Sequence, residues 1–182
     1  MIVLERENFY VSDFLKFKFI KFSAQIGDKI LLTGRNGSGK TTFLKWLKRK
    51  MAAHMEYQKG FYFDGTDFFF GNLSIRENLS LLNINLNQEV LKIFEPYLSR
   101  QIIFLSAGEK VFLQVHALLQ SSCDAIFIDD CLSYLDSEKF EAIESIISHS
   151  SKLVVVCGQY FGKLKAPWIK YKIEDDALQP DN

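Results

Sequence analysis

Residues 34–41 read Gly34-Arg35-Asn36-Gly37-Ser38-Gly39-Lys40-Thr41 and fit the pattern GxxxxGK[ST] without a mismatch. A strand expected over Lys29-Ile30-Leu31-Leu32 precedes the segment. Phe43, Leu44, Leu47 and Met51 follow it at three- and four-residue spacing. Strand, turn, then amphipathic helix is the context in which the pattern works. Glycines let the backbone curl so that successive N–H groups face phosphate oxygens, and the helix start adds the positive end of its dipole. Lys40 can reach the β- and γ-phosphates, and the Thr41 hydroxyl, with Thr42 beside it, is placed to hold Mg²⁺. Gly34, Arg35, Asn36, Gly37, Ser38, Gly39, Lys40, Thr41 and Thr42 together form the expected site for a nucleoside triphosphate.

Such a loop needs an acidic partner for the metal at the end of a buried strand. Ala125-Ile126-Phe127-Ile128 followed by Asp129-Asp130 supplies it. Asp129 is expected to hold Mg²⁺, directly or through water, and Asp130 to face the attacking water.

Working outward, strands are expected near 2–6, 16–22, 29–32, 60–63, 125–128, 152–157 and 169–173. Helices are expected over 41–53, near 75–82 and 88–98, and over 107–119 and 137–148. Strands alternating with helices imply an α/β fold whose central sheet is mostly parallel. Residues 71–106 carry no strand signal and are expected as a small helical lobe, while the acidic stretch 174–182 is expected to fray. No repeat or linker divides the chain, so residues 1–182 are expected as one domain.

Composition removes other classes. Lys plus Arg and Asp plus Glu each number 22, so the net charge is zero and nothing draws the whole surface toward nucleic acid. Hydrophobic residues at 48% and charged residues at 24% describe a packed core rather than disorder. The apolar runs 125–128 and 153–157 fall far short of the ~20 residues a membrane span requires. The first residues lack a basic segment followed by a long apolar one, so no secretory signal is expected. Cys123, Cys131 and Cys157 share no CxxC spacing, which points to a reducing compartment. Phe is abundant, at 17 residues. The run FLKFKFIKF at 14–22 alternates Phe and Lys, which suits either a strand with one buried face or a stacking platform for single-stranded nucleic acid. The strand is the simpler reading.

Between the two phosphate-site elements lies Leu105-Ser106-Ala107-Gly108-Glu109, opening an apolar-periodic helix, and after the paired acids comes Leu132-Ser133-Tyr134-Leu135-Asp136. In this order the elements resemble those of the ATP-binding cassette (ABC) ATPases, and the resemblance covers nearly the whole chain. It implies an ABC-type core with an N-terminal antiparallel β part, ATP with Mg²⁺ as ligands, and a head-to-tail pair. In that pair Ser106, Gly108 and the adjacent amides would cover the γ-phosphate held by the opposite subunit. It further implies that adenine stacks on Tyr10, with Phe9 as the alternative.

The departures from the family pattern are as informative. Its signature is usually LSGGQ, so LSAGE differs at two positions. The acid after the metal-binding Asp is usually Glu, whereas here it is the shorter Asp130. A misplacement of about 1 Å can cost on the order of 100-fold in rate, so slow hydrolysis is expected. Cys131 replaces a usual proline. The switch histidine is absent, leaving Gln159 as the group able to donate to a γ-phosphate oxygen. The loop Gln, expected near Gly65 or Thr66 ahead of Leu73-Ser74-Ile75-Arg76-Glu77-Asn78, is also missing.

The resemblance therefore implies an ATP-driven subunit of an ABC transporter, acting as an ATPase on the cytoplasmic side, with a second ABC subunit and a separate integral membrane protein as partners. Nucleic acid is not an expected partner. The alternatives are a soluble, translation-associated cassette, which the run LSAGEK resembles, and an ATP-binding regulatory subunit with little hydrolysis.

Overall fold

Five strands lie side by side and parallel, from the middle of the sheet to one of its edges. They are β9 (Ile169–Glu174), β5 (Lys29–Gly34), β8 (Leu153–Cys157), β7 (Ala125–Asp129) and β6 (Gly60–Phe63), in that spatial order. The computed structural model describes residues 2–5, 9–12, 15–17, 19–53, 59–86, 88–158, 167–175 and 177–181. β7 and β8 are buried along their whole length, as their unbroken apolar runs require of strands covered on both faces. Alternate residues divide between two cores. Phe127, Val155, Cys157, Ile30 and Leu32 pack on one face with Phe43, Leu44 and Leu47 of α1 (Lys40–Ala52). Ile126, Ile128, Val154 and Val156 pack on the other, with α4 (Ala107–Gln120) and α5 (Ser137–His149).

The sheet continues beyond β9 through β10 (Ala177–Pro180) and β4 (Phe19–Ala24) to β1 (Ile2–Glu5), making eight strands. β1 pairs with β4 antiparallel, which provides the expected antiparallel N-terminal part.

Two expectations fail here. The single strand expected over 16–22 is divided: β3 (Leu15–Phe17) joins β2 (Phe9–Ser12) in a separate two-stranded sheet, while β4 enters the main one. A period of two assigns faces but not partners, so the pattern runs through a change of sheet unnoticed. The acidic tail does not fray at 177–180, because β10 inserts between β9 and β4 with Leu178 fully buried. One apolar side chain with a row of backbone partners outweighs the surrounding acids.

Residues 71–106 hold α2 (Ile75–Leu81), α3 (Gln88–Phe94) and two 3-10 turns, Glu95–Tyr97 and Ile102–Phe104. α2 starts on a reciprocal cap in which Ser74 accepts from the Glu77 amide and Glu77 accepts from the Ser74 amide. α3 stops at Phe94, short of the expected residue 98, because Pro96 has no N–H to continue the ladder. Among the described residues, no helix is long and apolar enough to cross a membrane.

Candidate functional site

The loop between β5 and α1 is shaped by the absence of side chains. At Gly34 a Cβ would lie 2.7 Å from both the Ile173 carbonyl oxygen and the Ser38 Oγ, so only glycine fits. Gly39, at φ 94°, turns the chain into α1. Lys40 folds back across the loop, its Nζ donating to the carbonyls of Gly34 at 2.9 Å and Arg35 at 3.0 Å. Its ammonium is thus held across the loop by acceptors it can exchange for phosphate oxygens. The Ser38 Oγ is buried and has no hydrogen-bond partner among the described residues, a cost that an anion seated in the loop would relieve. Thr41 is exposed and Thr42 half-buried at the start of the helix.

Asp129 ends β7 on the sheet face that carries α1, with 8% of its surface exposed. Each carboxylate oxygen accepts from a neighbouring strand. The Tyr62 hydroxyl on β6 donates to Oδ2 at 2.5 Å, and the Cys157 thiol on β8 donates to Oδ1 at 2.7 Å. Register explains the arrangement: Asp129 lies directly opposite Cys157, while Tyr62 lies opposite Phe127 and reaches two residues along the sheet. Burial, reinforced by the anionic acceptor, pushes both the phenol and the thiol up from their ordinary values. Both groups therefore stay protonated and remain donors. The Lys45 ammonium lies 4.9 Å over the Tyr62 ring.

Thr41 hydroxyl and Asp129 carboxylate are hard oxygen donors suited to Mg²⁺, whose remaining ligands at such sites are phosphate oxygens and water. Asp130 follows in the left-handed region at φ 52°. Its amide donates to the Cys157 carbonyl, its carbonyl accepts from Ser133 Oγ, and its side chain is exposed. Cys131, at the usual proline position, is buried, and burial pushes its thiol up to about 12. It packs against the loop of residues 64–66, where a Cβ on Gly65 would lie 3.0 Å from its own Cβ.

Ser106 caps α4. Its Oγ accepts from the Glu109 amide at 3.2 Å, and the Glu109 carboxylate accepts from the Ser106 amide at 2.8 Å. The anion site expected there is thus partly occupied by the chain's own carboxylate. Gly108 presses on the loop after β7: a Cβ there would lie 2.4 Å from the Tyr134 carbonyl oxygen. Where the loop Gln was expected, Thr66 donates through both its amide and its hydroxyl to Asp64, whose carboxyl the hydroxyl holds below its usual range. An open cleft of about 440 Å³ separates this loop from Lys110, Val111 and Tyr134.

The structure brings Gly34, Ser38, Lys40, Thr41 and Asp129 to the same ends of β5 and β7, the two strands that flank β8. Gln159 lies outside the described residues. Tyr10 is placed on β2, opposite Lys16, and its side chain is likewise outside what is described. His116 is buried in α4 and His149 exposed at the end of α5, with its Nδ1 against the Ser145 carbonyl.

Three residues went unrecognised. Tyr62 and Cys157 carry no signal, since their meeting with Asp129 depends on strand neighbours. Gln114 does carry one, a polar residue on the apolar face of a helix. It is fully buried, accepts from the Phe68 amide at 2.8 Å and donates to Asp67 at 3.2 Å, while Lys110 pairs with the same Asp67 at 2.9 Å.

No family model matches the chain. It is 24% identical over 186 aligned positions to the energy-coupling factor transporter ATP-binding protein EcfA of Aster yellows witches'-broom phytoplasma (strain AYWB), an alignment covering 86% of this chain and 69% of that protein. It is 30% identical over 115 positions to the translation initiation factor rli1 of Schizosaccharomyces pombe (strain 972 / ATCC 24843). That match covers 60% of this chain and only 19% of the much longer factor. Among solved structures, the ATP-binding cassette MJ0796, in a dimeric post-hydrolysis state with ADP and Pi, superposes with a TM-score of 0.71 at 16% identity, over 100% of this chain and 98% of that one. At that identity the match speaks for the fold.

Proposed function

We propose, from the premise that this chain has the fold of an ABC ATPase nucleotide-binding domain, that it is the ATP-binding subunit of an ABC transporter. It binds Mg-ATP, pairs head to tail with a second ABC subunit, hydrolyses ATP slowly, and drives a separate integral membrane protein from the cytoplasmic face. The observation that carries the reading is Lys40, held across the carbonyls of Gly34 and Arg35 in a loop that also buries the Ser38 hydroxyl, which has no partner among the described residues.

The residues divide the work. Amides from Gly37 to Thr41 hold the phosphates, and Lys40 turns from the loop carbonyls to the β- and γ-oxygens. Thr41 and Asp129 would hold Mg²⁺, which neutralises charge developing on those oxygens. Asp130 orients the attacking water, and being one methylene shorter than Glu it does so from farther back. Gln159 donates to the γ-phosphate in place of a histidine. Ser106 and Gly108 complete the site of the opposite subunit, and Tyr10 stacks on adenine.

Steady-state ATP turnover tests the reading. The wild type hydrolyses slowly, Lys40→Ala abolishes binding and turnover, and Asp130→Glu raises the rate by roughly ten- to a hundredfold. Absence of ATP binding by the wild type overturns it.

A second reading, a soluble translation-associated cassette, draws on the likeness to the initiation factor and on the LSAGEK run. Affinity purification from the native cell separates the two. A polytopic membrane protein as the recovered partner supports the transporter, and ribosomes without one support the alternative.

A further inference from the structure

The hydroxyl of Tyr62 occupies a carboxylate oxygen of Asp129, the residue that would hold the metal. We propose that Tyr62 is a metal-linked toggle: in the empty site its hydroxyl satisfies Asp129, and on Mg-ATP binding it lets go, so that its hydrogen bond opposes metal binding. The inference rests on the reading of this site as a Mg-ATP site.

The argument turns on which donor can leave. Cys157 is 1% exposed, lies directly opposite Asp129 in the register, and has its own backbone tied to the next residue because the Asp130 amide donates to its carbonyl. Its thiol has nowhere to go. Tyr62 is half-buried at the rim of the core under α1, its hydroxyl reaches Asp129 diagonally from two residues back, and the Lys45 ammonium lies over its ring. Of the two donors, Tyr62 is the one with surface open to solvent, so it is the one able to turn away. A hydroxyl proton and a magnesium-bound water also compete for the same oxygen charge, and a nearby cation repels the positive end of the O–H dipole. The bond to a buried carboxylate stabilises the empty state because an unsatisfied carboxylate there is costly. If it must be given up, removing the donor beforehand favours the loaded state. Tyr62 also precedes by two residues the Asp64-Gly65-Thr66 turn, so its release would report the metal to the loop that enters the helical lobe.

The test is equilibrium binding of ATP to the wild type and to Tyr62→Phe, in EDTA and across a Mg²⁺ titration. The toggle predicts that Tyr62→Phe binds ATP in EDTA as the wild type does, and that the magnesium-dependent gain in affinity rises roughly tenfold. A gain is diagnostic, since mere damage to the fold weakens binding. An unchanged or smaller magnesium-dependent gain overturns the toggle and leaves the site reading standing. No ATP binding by the wild type overturns both. Should Tyr62→Phe not fold, a crystal structure of the wild type with Mg²⁺ and a non-hydrolysable ATP analogue decides. A Tyr62 hydroxyl beyond about 3.5 Å from Asp129 Oδ2 supports the toggle, and a retained bond overturns it.

Discussion

Gly108 has no room for a side chain, and the reason lies in another segment. A Cβ there would approach the Tyr134 carbonyl oxygen to 2.4 Å, so the start of α4 and the loop after β7 touch backbone to backbone. An ordinary exposed Gly→Ala change in a helix gains about 0.5–1 kcal/mol. Here the sign reverses. Gly108→Ala is expected to cost on the order of 1–3 kcal/mol in urea unfolding, because backbone must shift to admit the methyl. It also displaces the Ser133–Asp136 stretch, so ATP turnover falls with it. The motif LSxG pointed to Gly108, but its cause was out of sight, since Tyr134 is a neighbour only in space. The same holds for Asp129. Its position after an apolar run was readable, whereas its two donors, Tyr62 and Cys157, meet it only because β6, β7 and β8 lie in that order.

At the scale of elements, α4 combines a proposed site and a core in one helix. Its first turn carries Ser106, Gly108 and the reciprocal cap with Glu109, while residues 111–119 are buried throughout. The cost of that burial falls on His116, which is fully buried and whose pKa burial lowers to about 4. The folded chain therefore keeps this ring neutral at a pH where the unfolded chain protonates it. Stability from this source is complete above about pH 6.5, declines as the pH falls, and is lost by about pH 4, a total on the order of 2–3 kcal/mol. His116→Gln should flatten that acid limb when urea unfolding is followed from neutral pH downward. The periodic apolar spacing made α1, α4 and α5 legible. The end of α3 was not, because periodicity ran on through Pro96 while the chain, lacking an N–H there, stopped at Phe94.

For the whole molecule, the order of strands decides what depends on what. The parallel centre followed from strands alternating with helices, but nothing in that alternation says that β10 lies between β4 and β9. Leu178 is the fully buried side chain of that strand. Leu178→Ala is expected to cost about 2–5 kcal/mol in urea unfolding, the usual range for a core leucine, and to loosen β1 and β4 in hydrogen exchange before the parallel centre opens. A milder loss, confined to 177–180, would show that the N-terminal strands hold without it. Beyond the short ladder of β10, the Tyr171 hydroxyl accepts from the Ser23 amide at 3.0 Å, a contact between residues 148 apart in sequence. That separation has a temporal meaning. On a ribosome β1 and β4 emerge first, yet the strand that joins them to β9 is made last of all the elements described. Until then their edge and the buried face of Phe22 stand open, so the early chain must either wait unpaired or be shielded by a chaperone.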